Sequence, residues 1–319
     1  MIEQSPGIRA EAWAPASVGN VCVGFDLLGH SLGGAGDRVR IERIDDPDPA
    51  APVVIEPIEG LPIDLPLDPS KNTAGAALLA MHRALDLEAG LRVRITKGIP
   101  LGSGMGGSAA SAVAAVVAAN ALLERPLARE ALYPFALAGE RIASGSLHGD
   151  NVGPQLVGGL VLALPERLVR IPVPEGLWCA LAHPHLELET RRARAVLAEP
   201  FALEAVVQQT AALAQVLAAC YTDDTGLLDG AIRDVLVEPR RAPLIPGLDR
   251  VRSAALATGA LGAGISGGGP SLFAWTTDEA GATRAAEAMG EAFAEEGLEA
   301  DLFTGPVAGP AARVLGREP

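Results

Sequence analysis

Residues 98–120, GIPLGSGMGGSAASAVAAVVAAN, constrain the fold of this chain more than any other stretch. Gly102, Gly104, Gly106 and Gly107 strip side chains from a short loop, so backbone N–H groups can turn toward an anion. From Ser108 the sequence is rich in Ala and Val, with no Gly or Pro before Asn120. That run predicts a helix apolar on nearly every side and therefore buried. A glycine loop feeding such a helix faces its positive dipole end and its unpaired N–H groups, a setting suited to phosphate.

The literal G-x-G-x-x-G over 102–107 is weak by itself. A dinucleotide fold needs a strand before it, then a helix and a second strand, within about 30 residues. Here the buried helix passes through Glu124, Arg125 and Pro126 into a second helical stretch, 127–143. A P-loop is also excluded, because no lysine follows the glycines; Lys97 precedes them and Lys71 is the only other lysine. On the loop alone, a tight turn ahead of a core helix is an alternative explanation.

Two further stretches, APASVGNVCVGFDLLG (14–29) and GAGISGGGPS (262–271), accompany PLGSGMGGSAAS. In order and separation the three resemble the signature motifs of the GHMP small-molecule kinases. Within that group the chain is similar to the homoserine kinases, through GERIASGSLHGDNVGP (139–154), ETRRAR (189–194) and DVLVEPRRAPLIPG (234–247). The resemblance spans nearly the whole chain. It implies an α+β, two-domain GHMP kinase fold: a ribosomal-protein-like N-terminal domain over 1–168 that holds the phosphate loop, and a ferredoxin-like C-terminal domain over 169–319. A shift in composition over 165–174 sets the expected boundary.

The same resemblance implies two ligands, ATP with Mg²⁺ and L-homoserine. ATP would lie along Pro100, Leu101, Gly102, Ser103, Gly104, Met105, Gly106, Gly107, Ser108, Ala109 and Ala110, with Asn72 lining the adenine pocket. Ser108 and Glu140 would hold the metal; a hydroxyl and a carboxylate are suitable hard oxygen ligands. Without the resemblance Ser108 reads as a helix cap, Asn72 as another, and Glu140 as a solvated helix residue. Arg194 and Arg241 would grip the amino-acid carboxylate, which a guanidinium fork suits better than lysine does. Asp26 would meet the ammonium, with Asn20, His148 and Asn151 completing the pocket and Asn151 on the reacting hydroxyl.

Phosphoryl transfer needs charge neutralisation and alignment more than covalent help. Several related kinases carry an aspartate where this chain has Asn151, and an asparagine cannot take up a proton near neutral pH. Catalysis is therefore expected from Asn151, Ser108 and Glu140 with no dedicated base, Asp150 being the rival for that role. Two departures from the family pattern remove hydroxyls: Gly107 replaces the first of two serines, and the third motif reads SGGGP where SGSGP is usual.

Of the 319 residues, 49 % are hydrophobic and 20 % charged, a globular composition. The net charge of −14 argues against nucleic acid as a partner. Residues 1–13 show no apolar signal core, and no window is expected to reach the ~18–20 apolar residues of a membrane span. A cytoplasmic protein without a membrane partner is the expectation, and the resemblance implies a homodimer. Cys22, Cys179 and Cys220, odd in number and without metal spacing, read as reduced thiols. Alternation predicts strands at 8–13, 37–44 and 91–96, the first two paired, and apolar runs predict strands at 155–164, 178–183, 262–265, 271–275 and 300–303. Helices are expected at 72–87, 190–197, 203–221, 227–237, 248–258 and 279–296, and loops at 45–52 and 57–69. Two readings compete with a homoserine-directed enzyme: a GHMP kinase for another hydroxylated substrate, and a kinase-derived binding protein without activity.

Overall fold

The structure, a computed structural model, describes residues 8–61, 64–145 and 147–318. Residues 1–7, read above for a leader, and Pro62 of the proline-dotted stretch lie outside the described residues. Small apolar residues alternating with polar ones make β1 (Arg9–Gly19), which runs beyond the expected 8–13 into the first motif. It pairs antiparallel with β2 (Leu28–Ile44), twice the expected length. The extra half was hidden because the glycine-rich residues 33–35 form a bulge where the register slips between Pro15 and Ala16.

β5 (Gly90–Lys97) lies on the other side of β2 and carries two short parallel partners, β3 (Val53–Ile55) and β4 (Glu59–Gly60). β4 sits inside the stretch expected to be irregular. β6 (Leu160–Ala163) pairs with the start of β2, and β7 (Leu168–Ile171) pairs with β6. The eighth strand, β12 (Arg313–Glu318), pairs with β1. Its sequence RVLGRE is exposed throughout and carries no apolar alternation, so nothing in it signalled a strand. Both β7 and β12 belong to this sheet, so its pairing crosses the expected 168/169 division.

Four helices accompany the sheet: α1 (Thr73–Ala84), α2 (Gly107–Ala121), α3 (Tyr133–Ser144) and α4 (Val152–Val157). Every residue of α2 from Ala109 to Ala119 is buried, between β1 and β2 and helices α1 and α3, as its lack of a polar face demands. The helical stretch expected at 127–143 divides into a 3₁₀ turn (Arg129–Leu132) and α3, with Pro134 at the junction. The strand expected at 155–164 is corrected: its first part is α4, Gly158 breaks the helix at φ 79°, and β6 follows. An apolar run buried on all sides carries no period that separates helix from strand.

The second sheet contains β8 (Trp178–Pro184), β9 (Gly262–Ile265), β10 (Leu272–Thr276) and β11 (Ala300–Pro306) in the order β11-β8-β10-β9, all antiparallel. With α8 (Leu248–Ala257) and α9 (Glu279–Glu295) packed in its own core cluster, this is the expected ferredoxin-like order. Phe273 and Trp275 of β10 join the core of the first sheet instead, and Trp275 Nε1 donates to His30 Nε2 at 3.2 Å. Burial pulls His30 down to about 4, which keeps Nε2 a neutral acceptor.

α5 (Thr190–Ala195) and α6 (Leu203–Thr222) match their expected positions, whereas the helix expected at 227–237 is absent. In its place a 3₁₀ turn (Thr225–Leu228) is followed by Gly230 at φ 70°. Asp234 Oδ1 then accepts the N–H groups of Leu236 and Val237, both at 2.8 Å, ahead of the four-residue α7 (Glu238–Arg241). A short acceptor competing for backbone N–H groups defeats an otherwise helical stretch. The expectation that no segment has the length and apolarity of a membrane span is also corrected: α6 meets both by composition, with mean hydropathy 1.3. Its Gln209, Val216, Ala219 and Cys220 are buried against the protein.

One buried ion pair fixes the start of the glycine loop. Lys97 Nζ pairs with Asp37 Oδ2 and donates to Gly107 O (2.7 Å) and Ser111 Oγ (3.0 Å). Asp37 Oδ1 accepts the N–H groups of Gly98 (3.0 Å) and Ile99 (3.2 Å). Lys97→Met leaves that carboxylate buried without its counter-ion, so urea unfolding should show a loss of about 3–5 kcal/mol relative to wild type.

Candidate active site

The glycine loop is held by its carbonyls. Gly102 O accepts from Leu188 N at 3.1 Å, Ser103 O from Ser271 Oγ at 2.6 Å, and Gly104 O from Ser266 Oγ at 2.8 Å. Met105 O accepts from Ser17 N at 3.1 Å and Gly106 O from Gln155 Nε2 at 2.9 Å. In a trans peptide the N–H points opposite to the C=O, so capture of these carbonyls turns loop N–H groups the other way; the one of Met105 is taken by Ser103 Oγ at 3.3 Å. Glycine is required where the third motif crosses the loop. Gly104 has φ 76°, and a Cβ there would lie 2.4 Å from Ser266 O and 2.7 Å from Gly269 O. Gly106, at φ 70°, is the N-cap of α2, and its missing Cβ makes room for Ser17 Oγ.

The loop lines one part of a cleft of about 450 Å³, with Ser108 and Glu140 beside it. Ser108 Oγ donates to Glu140 Oε2 at 2.8 Å. Burial pushes the Glu140 carboxyl up to about 7, against the pull of that hydrogen bond. One hydroxyl and one carboxylate suit a hard cation that draws the rest of its shell from phosphate oxygens and water. Among the described residues no cluster of three or more His, Cys, Asp or Glu offers a fuller set.

Of the expected nucleotide contacts, Pro100, Leu101, Gly102, Ser103, Gly104, Gly106, Gly107 and Ser108 line the cleft. Met105, Ala109 and Ala110 are wholly buried and do not. Asn72 is also outside the lining: its Oδ1 accepts from Ala74 N and Gly75 N to cap α1, and its Nδ2 donates to Pro66 O. These three hydrogen bonds are to local structure, which is the ordinary role of asparagine ahead of a helix.

The first motif supplies another part of the lining from a strained turn. Asn20, Val21 and Cys22 are consecutive non-glycine residues at φ 67°, 43° and 57°, and Asp26 has φ 61°. Asn20 Oδ1 accepts Asp26 N at 2.8 Å while its Nδ2 donates to Gly267 O at 2.9 Å. From α6, Gln209 Nε2 donates to Cys22 O at 2.9 Å. The turn thus aims Asp26 at Arg194, whose Nη2 and Nη1 donate to the two carboxylate oxygens at 2.7 and 3.2 Å. His148 Nδ1 lies 3.2 Å from Asp26 Oδ2. Burial lowers the His148 pKa, so the neutral ring donates from Nδ1 and keeps Nε2 as an acceptor.

Arg241, at the end of α7, donates from Nε to Ala193 O (3.0 Å) and from Nη1 to Gly267 O (2.9 Å). Burial pulls it down to about 10, where it is still charged. The two guanidinium carbons lie 5.6 and 5.4 Å from the Phe25 ring centre, cation-π contacts that tie both to one aromatic ring. Arg194 Nε and His148 Nε2 are buried in this corner without a partner among the described residues, which marks a place built for a polar ligand.

Asp150 and Asn151 line the same cleft. A Cβ on Gly19 would stand 2.5 Å from Asp150 Oδ2, and one on Gly106 would stand 2.9 Å from Asn151 Oδ1, so Asn151 sits beside the loop. Burial, reinforced by the charge of Asp26, pushes the Asp150 carboxyl up to about 7. The sequence reading had no sign of Ser17, Phe25 or Gln155 as parts of the site. Ser17 and Phe25 lie inside the first motif and Gln155 just beyond a matched segment, so only their company pointed to them.

A glycine loop at a helix start, with a hydroxyl–carboxylate pair and a corner of charged side chains lining the same cleft, is the arrangement of a phosphotransferase acting on a small molecule. Family models for the GHMP kinases N terminal domain and the GHMP kinases C terminal domain match residues 72–159 and 216–295. The chain is 55 % identical over 311 residues to the homoserine kinase of Xanthomonas campestris pv. campestris, covering 97 % of this chain and 95 % of that one. It is 54 % identical over 307 residues to the homoserine kinase of Xylella fastidiosa, covering 96 % and 94 %. The crystal structure of homoserine kinase from Cytophaga hutchinsonii superposes with a TM-score of 0.92 at 39 % identity, over 99 % of this chain and 100 % of that one. The chain belongs to the GHMP kinases and, within them, to the homoserine kinases.

The loop geometry predicts opposite outcomes at two glycines. Gly104→Ala should abolish nucleotide binding measured by calorimetry. Gly268→Ser should fold normally, since a Cβ there meets only Ala193 Cβ at 3.7 Å. Its restored hydroxyl should lower the ATP dissociation constant roughly fivefold, the worth of about one hydrogen bond. Asp150 also gives the empty protein a pH dependence. Its carboxyl holds a proton better folded than unfolded, so stability falls as pH rises from about 4 to about 7. Urea unfolding of Asp150→Asn across that range should show a shallower fall than wild type.

Proposed function

We propose that the protein is an ATP:L-homoserine O-phosphotransferase serving threonine synthesis. The amino-acid hydroxyl oxygen forms a bond to the γ-phosphorus, the bond from that phosphorus to the β,γ-bridging oxygen breaks, and ADP and O-phospho-L-homoserine result. The observation that carries this reading is the corner where Arg194, Arg241 and Asp26 meet in a chain 54 % identical to a homoserine kinase. Arg194 and Asp26 neutralise each other in the empty cleft. A zwitterion can replace their one ion pair with two, its ammonium on Asp26 and its carboxylate on the guanidinium groups.

Ser108 and Glu140 are the residues that would hold Mg²⁺, and the bound ion would supply neutralisation of the phosphate oxygens. The loop N–H edge positions the phosphates, and Asn151 holds the acceptor hydroxyl beside it. The hydroxyl proton leaves with no dedicated protein base, passing to phosphate oxygen. The same reading makes the protein a cytoplasmic homodimer in which the glycine loop belongs to the first of two domains.

An ADP-release assay over homoserine, mevalonate and galactose tests the substrate. Homoserine should be turned over and the other two should not; turnover of mevalonate alone would overturn the proposal, and ATP binding without product would favour a binding protein. Arg194→Lys should raise KM for homoserine by roughly 10- to 100-fold, the loss of a charge-assisted fork, with KM for ATP little changed. Asp150→Asn should retain turnover; its abolition with binding intact would assign Asp150 as the base.

A further inference from the structure

Beneath the glycine loop, three side chains connect the phosphate-facing backbone to the amide beside the acceptor. Gln155, in α4 and wholly buried, donates from Nε2 to Gly106 O (2.9 Å) and to Ser17 Oγ (3.0 Å). Ser17, wholly buried in β1, donates from Oγ to Asn151 Oδ1 (2.8 Å). One atom sets every direction in this chain, because a carbonyl oxygen can only accept. The end of Gln155 against Gly106 O must be its NH₂ group, whose second proton falls on Ser17 Oγ. The single Ser17 proton then has to go onward, to an oxygen of Asn151.

The opposite assignment fails on both amides. Turning Gln155 around sets oxygen against the Gly106 carbonyl, and it gains nothing at the other end, where Oε1 is buried with no partner among the described residues. With Gln155 fixed, turning Asn151 around would face its NH₂ with a hydroxyl whose proton finds no other acceptor among the described residues. Amide orientation is ordinarily a choice made from the hydrogen-bond network. Here the network permits one choice.

We infer that Ser17 and Gln155 are positioning residues that lock Asn151 with its NH₂ group toward the acceptor. The inference rests on the homoserine reading of the site. Asn151 then offers the reacting oxygen a donor and never an acceptor. It occupies a lone pair of the hydroxyl and leaves the O–H bond to point away from Asn151. Because the chain starts on Gly106 O, the amide and the phosphate cradle keep one mutual position. The site should accept a lone-pair-bearing group at this point and disfavour a group that can only donate.

Calorimetry with two homoserine analogues tests this. L-2,4-Diaminobutyrate puts a donor-only ammonium where the hydroxyl sits, and L-2-aminobutyrate lacks the group altogether. The ratio of their dissociation constants is compared across variants, and Asp150, present in all of them, cancels from the comparison. Ser17→Ala and Gln155→Met each release Asn151 to turn, so the ratio of diaminobutyrate to aminobutyrate dissociation constants should fall at least about fivefold. Asn151→Asp, which presents oxygen outright, should fall in the same direction. In Ser17→Ala, which keeps the backbone N–H on Met105 O and the Gln155 amide on Gly106 O, kcat for homoserine should drop about tenfold while KM for ATP stays within about twofold, a split that general loosening of the fold would not give.

An unchanged ratio in Ser17→Ala or in Gln155→Met, in protein that melts as wild type does, overturns the inference. If Ser17→Ala does not fold, Gln155→Met decides alone, since it keeps the volume of the side chain. Failure of the wild-type protein to phosphorylate homoserine refutes the substrate reading instead, and the analogue ratio still reports on the amide.

Discussion

The site depends on five peptide carbonyls being captured on the inner side of one short loop. Leu188, Ser271, Ser266, Ser17 and Gln155 each hold one of them, and they come from segments far apart in the chain. A loop left to itself would point its carbonyls and N–H groups indifferently. Here the protein satisfies the carbonyls internally and takes up one loop N–H, that of Met105, with Ser103 Oγ, so the loop is fixed before any ligand arrives. The third motif contributes through Ser266 and Ser271, which hold the loop rather than reach for phosphate.

The amino-acid corner uses the opposite strategy, storing strain and charge instead of relieving them. Three successive left-handed non-glycine residues, each costing of order 1–3 kcal/mol, persist because neighbours hold them. Gln209 grips Cys22 O, and Asn20 bridges Asp26 N to Gly267 O. Asp26 and Arg194 then wait as a pair, partly shielded from water, with Arg241 stacked across the Phe25 ring. A neutral ligand would have to break that pair with nothing to replace it, whereas a zwitterion brings both replacements.

Much of this was legible in the sequence because it was local. The glycines before an Ala-rich run announced a loop and a buried helix, and PSKNTA announced a capped helix at Thr73. The motif match named Asn20, Asp26, His148, Asn151, Arg194 and Arg241, and all six line one cleft. Illegible features were those decided by distant partners. β12 has no apolar face, and only β1 makes it a strand. Residues 155–157 are buried on every side, so period could not tell helix from strand. Asn72 matched an adenine contact by position, and the structure shows it capping α1 through three local hydrogen bonds, outside the lining of the cleft. Lys97 was legible only as a lysine on the wrong side of the glycines for a P-loop; its partner Asp37 lies sixty residues earlier.

The pairing of β12 with β1 has a bearing on how the molecule assembles. During synthesis, β1 is made before β12, the strand that covers its outer edge, which follows every helix of the described residues and the whole second sheet. Until then the nascent chain displays a row of unsatisfied backbone groups, a template for pairing with any other extended segment. Closing this long-range contact is among the slower kinds of folding event. The alternating arginines and glutamates along β1 and β2 are charges that discourage foreign strands from docking during that interval.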